Sequence, residues 1–353
     1  MLGSSSHGKQ DRGLTAPPQV GPVCPELPFE APGAVLAALE SVGRTEDLRF
    51  SPDNTLLAIA GYVRNVVLLL RVDVGGIAAA PRVRIDDFGE LRSTAFGGLH
   101  GLDWLDGETL ATGNRDGWVS IIRVPATLGG RTFDVKALSV MKAGKLRSNL
   151  FWRPHSPGSL AASTVVDGEP GLLVCNNYKN RVTHHLLDAS QDYRPFKHRL
   201  ALRRGIKVPD GIAVSSDGRW VAVSSHLTHD VKVFDGSARF SWRTAPVASL
   251  QGPSFPHGLR FGPDGKLFVT DAGSPFVFWF EAQRQWAGVY TPAGRVRVMD
   301  EATFESRRVN PSEGGPKGID VDRTGKVLAI TCHQLPLRLY AAGPFVETAA
   351  EVV

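Results

Sequence analysis

The chain has 353 residues, is 42% hydrophobic and carries a formal net charge of +5, so it holds enough apolar material for a large core. Its Lys and Arg residues are dispersed, with no run longer than pairs such as Arg203-Arg204, which argues against a nucleic-acid partner. No 18-residue apolar run occurs and the polar N-terminus lacks the apolar centre of a signal peptide, so a cytoplasmic protein with no membrane partner is expected. Three cysteines without a CxxC pair (Cys24, Cys175 and Cys332) offer no disulfide framework.

In chain order, residues 1–20 read as a loose polar tail, and 21–353 as one domain. Ala31–Val42 reads as a short helix or closing segment. Repeating units then open at Asp47-Leu-Arg-Phe-Ser-Pro-Asp, His100-Gly-Leu-Asp-Trp, Asn149-Leu-Phe-Trp, Asp210-Gly-Ile-Ala-Val, His257-Gly-Leu-Arg-Phe and Lys317-Gly-Ile-Asp-Val. They recur roughly every 50–60 residues, a period suited to propeller blades with variable loops. Within a unit, an alternating strand meets a turn such as Ser216-Asp217-Gly218, Pro263-Asp264-Gly265 or Arg323-Thr324-Gly325, where Gly supplies the positive φ of a tight hairpin. A more continuously apolar second strand follows (Leu56–Ala60, Trp220–Ser224, Lys266–Thr270, Lys326–Thr331), and then a third (Val66–Val72, Val231–Asp235, Phe276–Glu281). Fourth strands are weakly marked, with Val83–Ile85 and Val247–Leu250 as candidates. The predicted fold is all-β: a six-bladed β-propeller of four-stranded antiparallel blades around a central channel. Its last blade is closed by Phe345–Val353 or by the segment before Asp47. Seven blades are the alternative, because the third unit holds three strand-like runs, Ser159–Val166, Gly171–Asn177 and Arg181–Asp188.

The residue opening each innermost strand faces the axis, which predicts a ring of Asp47, His100, Asn149, Asp210, His257 and Lys317 at one mouth, four of them followed by Gly. A second tier from the ends of the second strands adds Asn114, His226, Asp271 and His333, with Tyr62 nearby and His229 and Asp116 in the following loops. Two acids, two imidazoles, an amide and an ammonium suit acid–base chemistry or ion binding. A set of wetted polar groups without chemistry is the bland counterpart.

The units Pro209-Asp-Gly-Ile-Ala-Val-Ser-Ser-Asp-Gly-Arg-Trp-Val-Ala-Val and Pro256-His-Gly-Leu-Arg-Phe-Gly-Pro-Asp-Gly-Lys-Leu-Phe-Val-Thr-Asp resemble the NHL-type propeller repeat. That group includes the gluconolactonase/regucalcin, strictosidine synthase-like and streptogramin lyase families, and the resemblance covers roughly Thr45 to Ala342. It implies an axial site acting on a small ester- or lactone-like ligand by hydrolysis or elimination. On the gluconolactonase pattern one divalent cation (Ca²⁺, Mg²⁺ or Mn²⁺) would sit on Asn149, Asp210 and Asp47, with Glu46-Asp47-Leu48 standing where that family carries Glu-Gly-Pro. On the streptogramin lyase pattern His257 would pair with Asp271 as a base, while His100 and Lys317 assist and Asn114, His226, His333 and Tyr62 hold substrate. A site of His100, His226, His257 and His333, similar to the four-His iron of carotenoid oxygenases, is a third use of the ring. A non-catalytic scaffold that binds a ligand or a protein is the rival class, and on either reading a monomer or weak homodimer is expected.

Overall fold

The computed structural model describes residues 24–143, 152–163, 166, 170–308, 310–333 and 335–343. Six small sheets stand in a ring, and each innermost strand contacts the next until the last meets the first. The innermost strands are Thr45–Phe50, Leu99–Trp104, Pro157–Ser163, Ile212–Val214, Pro256–Phe261 and Pro316–Val321. Second strands are Leu56–Gly61, Thr109–Asn114, Gly171–Asn176, Trp220–Ser225, Leu267–Asp271 and Val327–Cys332. Each sheet is antiparallel across this pair and into its third strand. The predicted turn glycines Gly218, Gly265 and Gly325 have φ of 69°, 82° and 73°.

The six-bladed register holds. Leu172 lies in the second strand of blade three, so the three strand-like runs of that unit belong to one sheet. The expected opening of that blade is corrected: its innermost strand begins at Pro157, and Asn149 lies outside the described residues. The weak fourth-strand signals fall within Ala80–Arg92 and Ala248–Gln251. The helix Gly33–Ser41 buries Val35, Ala38 and Leu39 in the core shared by the first and last blades. On the N-terminal side Leu27 N–H donates to Leu339 O (2.7 Å) and Glu26 pairs with Arg338, while the other expected closing segment, Phe345–Val353, lies outside the described residues. Among the described residues no helix is long and apolar enough to cross a membrane.

Alternation divides the core between blade interfaces. In Phe276-Val-Phe-Trp-Phe280, Phe276, Phe278 and Phe280 pack toward Trp220 and Val233 of blade four. Val277 and Trp279 pack toward Ile319, Val321 and Tyr340 of blade six. All five are buried, so this aromatic run is core and not a docking surface. Gly294 lies beneath Trp279, and a Cβ there would overlap the indole. Gly294→Ala is therefore expected to cost about 1–3 kcal/mol in denaturant unfolding through overpacking; unchanged stability would contradict this packing.

Candidate functional site at the propeller axis

The pairing register shifts at one place in every long innermost strand: between Thr45 and Asp47, Leu99 and Gly101, Pro157 and Leu160, Pro256 and Leu259, and Pro316 and Ile319. A bulge of this kind re-aims a side chain. Here it falls at Glu46, His100, Gly158, His257 and Lys317, and Asp210 takes the matching place before Ile212. Pro157-Gly158-Ser159 thus repeats Pro209-Asp210-Gly211, Pro256-His257-Gly258 and Pro316-Lys317-Gly318. Two ring positions are corrected accordingly: blade one contributes Glu46 in place of Asp47, and blade three contributes Gly158. The glycines that follow serve the fold: a Cβ on Gly211 would overlap His257 O, and one on Gly258 would overlap Lys317 O, so neighbouring blades meet through bare backbone.

Asp47 occupies the glycine place of blade one and acts structurally. Its carboxylate accepts from Leu102 N–H (3.2 Å), Leu48 N–H (2.9 Å) and Arg49 Nη1 (2.5 Å). Deeper in the channel Arg49 lies 3.9 Å from Asp103, and Arg260 lies 3.8 Å from Asp103 and 2.5 Å from Asp320. Two arginines and three aspartates thereby tie the innermost strands below the mouth.

At the mouth five buried side chains converge. His100 Nε2 lies 3.6 Å from Glu46 Oε2 and 3.8 Å from Asp210 Oδ1. His257 Nε2 lies 3.9 Å from Glu46 Oε2 and 3.3 Å from Asp210 Oδ2. The two imidazoles stack at 5.7 Å between centroids. Lys317 Nζ bridges Glu46 (3.1 Å) and Glu313 (3.3 Å), and Arg44 pairs with Glu46 from the rim. A cavity of about 10 Å³ lies among Glu46, His100, Asp210 and His257, close to the least that holds one water or ion.

The protonation pattern follows from burial and charge. Burial, aided by Arg115, holds His100 neutral and pushes its pKa down to about 3. Arg115 Nη2 donates to His100 Nε2 at 3.1 Å; since a guanidinium only donates, that nitrogen carries a lone pair and the ring proton sits on Nδ1. Burial also lowers His257, outweighing Asp210. Burial opposes ionisation of Glu46, but Lys317 foremost, with the imidazoles and Arg44, holds it below the carboxylate range. Asp210 is likewise held well down by His257, His100 and Arg115 against the effect of burial.

The second tier is placed by the residue that follows the second strand: in blade two this is Arg115 and not the expected Asn114, and in blade four it is the expected His226. Asn114 accepts from Gly97 N–H (2.9 Å) and donates to Thr112 O, Trp118 O and Ser120 Oγ, which fully engages it in its own loop. Asp271 accepts from Ser254 N–H (2.8 Å), Phe255 N–H (2.6 Å), Gly273 N–H (3.0 Å) and Ser274 Oγ (2.6 Å). It is a loop cap, and the carboxylate beside His257 is Asp210. The next residues along reach the site: Arg115 at His100, Asn177 Nδ2 donating to Asp210 Oδ1 (2.6 Å), and His226 at 3.4 Å from Glu313. Tyr62 meets His100 edge-on at 6.3 Å under the Arg44 guanidinium, and the half-buried His333 has its pKa lowered by burial, Arg44 and Lys317. His226 and His333 are not part of the His100–His257 cluster, so the four-His site is not assembled.

Glu46, His100 and His257 offer donor atoms within 4.8 Å of one another, and this cluster could hold a metal ion. Four-coordinate bonds of about 2.1 Å place donors about 3.4 Å apart, close to the separations observed here. Metal binding by His100 would use the Nε2 lone pair that now accepts from Arg115, so the guanidinium would have to turn aside. Neither a protein-family model nor a curated protein matches the chain, so its likeness to known propellers is one of architecture.

Proposed function

We propose that the propeller mouth is the active site of an enzyme that cleaves a small ester- or lactone-like substrate, with Glu46, His100 and His257 holding a divalent metal. The observation that supports this most is the convergence of these three side chains, with Asp210, around an ion-sized cavity on the axis. Two imidazoles and a carboxylate favour Zn²⁺, Fe²⁺ or Mn²⁺ over the Ca²⁺ or Mg²⁺ that all-oxygen ligands would choose. Such an ion, when bound, polarises a carbonyl and acidifies water.

The chain's own residues supply the rest. Anionic Asp210, 3.3 Å from His257 and lining the same cavity, is the carboxylate arranged as a general base. Lys317 and Arg115 flank the cavity as cations for a developing oxyanion. The cavity is sized for one ion, so the substrate would rest above it on the rim of Tyr62, Tyr178 and Phe255. In a panel of lactones and carboxylic esters, His257→Ala and Asp210→Asn are each expected to lower kcat/KM at least 100-fold in folded protein. A substrate turned over equally by parent and His257→Ala would contradict the reading.

A further inference from the structure

A larger cavity lies at the end of the propeller opposite the mouth, where the innermost strands of blades two and four finish at Trp104 and Val214. It measures about 770 Å³. Its other walls are Leu187 and Asp188, which end the third strand of blade three (Arg181–Asp188), and Tyr193 and Phe196 just beyond. The backbone departs from regular geometry at both of these rings. Leu186 pairs with Lys197 and Leu187 with Pro195, so Phe196 is the extra residue of a β-bulge. A bulge re-aims a side chain, and this ring lines the cavity while 66% exposed. Tyr193 has a φ of 56°, in the left-handed region that a bulky residue occupies only under constraint. Its hydroxyl, bonded to Asp106 of blade two, supplies that constraint.

The polar tips of the aromatic walls are already engaged. Trp104 Nε1 donates to Arg49 O (3.2 Å) and Tyr193 OH to Asp106, so the rings have only hydrocarbon and π-faces left to offer. Asp188 is the one charged side chain lining the cavity among the described residues. Its Oδ1 accepts from Ser190 N–H (3.0 Å) and Ser190 Oγ (2.6 Å). A neutral apolar ligand would strip water from this carboxylate and give nothing back, and an anion would be repelled by it. A cation on an apolar body meets both demands, because ammonium groups are attracted to carboxylates and to aromatic faces alike. The volume falls within the range of small-molecule sites. We infer that this cavity binds an organic amine, its ammonium on Asp188 and its apolar body among Trp104, Tyr193 and Phe196.

The test is calorimetric titration of the full chain with tryptamine in the presence of a chelator, beside the neutral tryptophol and the anionic indole-3-propionate. Tryptamine is expected to bind once per chain, about tenfold or more tightly than tryptophol, with indole-3-propionate weakest. Asp188→Asn keeps an oxygen for Ser190 N–H and removes the charge, so it should bring tryptamine down to the affinity of tryptophol. Phe196→Ala, a change at an exposed ring, should weaken tryptamine and tryptophol together. Asp210→Asn controls for an amine caught by the carboxylates of the mouth and should leave tryptamine binding unchanged. Absence of tryptamine binding, tryptophol binding as tightly, indifference to Asp188→Asn or to Phe196→Ala, or binding lost in Asp210→Asn would each overturn the inference.

Discussion

Glu46→Gln is expected to remove about 3–5 kcal/mol of folding stability in metal-free protein, because it leaves the buried Lys317 ammonium and the Arg44 guanidinium without their shared carboxylate. The change keeps shape but replaces one accepting oxygen with a donor NH2, so the loss reports charge and its hydrogen bonds and not packing. Lys317 retains Glu313 at 3.3 Å, which places the effect toward the lower end of that range. Adding Lys317→Met to Glu46→Gln should restore part of the stability, since it removes the buried ammonium that the single change leaves without Glu46. Urea denaturation of the parent, both single variants and the double variant gives the coupling directly. Additive losses would mean that the two charges do not act as a pair.

The second large effect is acid lability. Burial holds His100, His185 and His257 neutral in the fold, with pKa values below those of the unfolded chain. The sign follows from proton uptake: as pH falls through about 6.5 the unfolded chain binds these protons and the folded chain does not, so stability present above that pH is lost below it. Asp47, pushed up to about 6 by burial despite Arg49, works in the opposite direction and offsets one of the three. Two uncompensated protons correspond to a slope of up to about 3 kcal/mol per pH unit between pH 6 and pH 5. Below that, the lowered carboxylates Glu46, Asp210 and Glu313 (the last down to about 2) add further loss as they are forced to protonate. Urea midpoints at pH 7 and pH 5 check this, and equal midpoints would mean that the buried imidazoles titrate normally.

The architecture was legible because its signals are local: Asp-Gly turns, apolar second strands and a Gly-hydrophobic step recur along the chain. The ring was legible where that step is intact, at His100, Asp210, His257 and Lys317. It was misplaced where the step is broken. In blade one Asp47 stands in the glycine place, and only the bulge shows that Glu46 turns to the axis. In blade three the opening residue is itself a glycine, so the polar Asn149 stands out in the sequence while Pro157-Gly158 does not; the recurring Pro before the axial residue is the signal that marks it. The second tier was misplaced at Asn114 and Asp271, which end their strands and turn back to cap loops, whereas His226 follows its strand and approaches Glu313. Glu313 has no repeat signature, being carried by a loop unique to the last blade, and only its approach to His226 and Lys317 reveals it.

The Glu46–His100–His257 cluster is the proposed metal site, and titration of chelator-treated protein with Zn²⁺, Mn²⁺, Fe²⁺, Ca²⁺ and Mg²⁺ tests it most directly. The prediction is one transition-metal ion per chain, not displaced by Ca²⁺ or Mg²⁺, with affinity falling at least 100-fold in both His100→Ala and His257→Ala. Absence of any binding, or binding undiminished in both variants, would contradict it and leave the axial ring as a set of ion pairs closing the propeller.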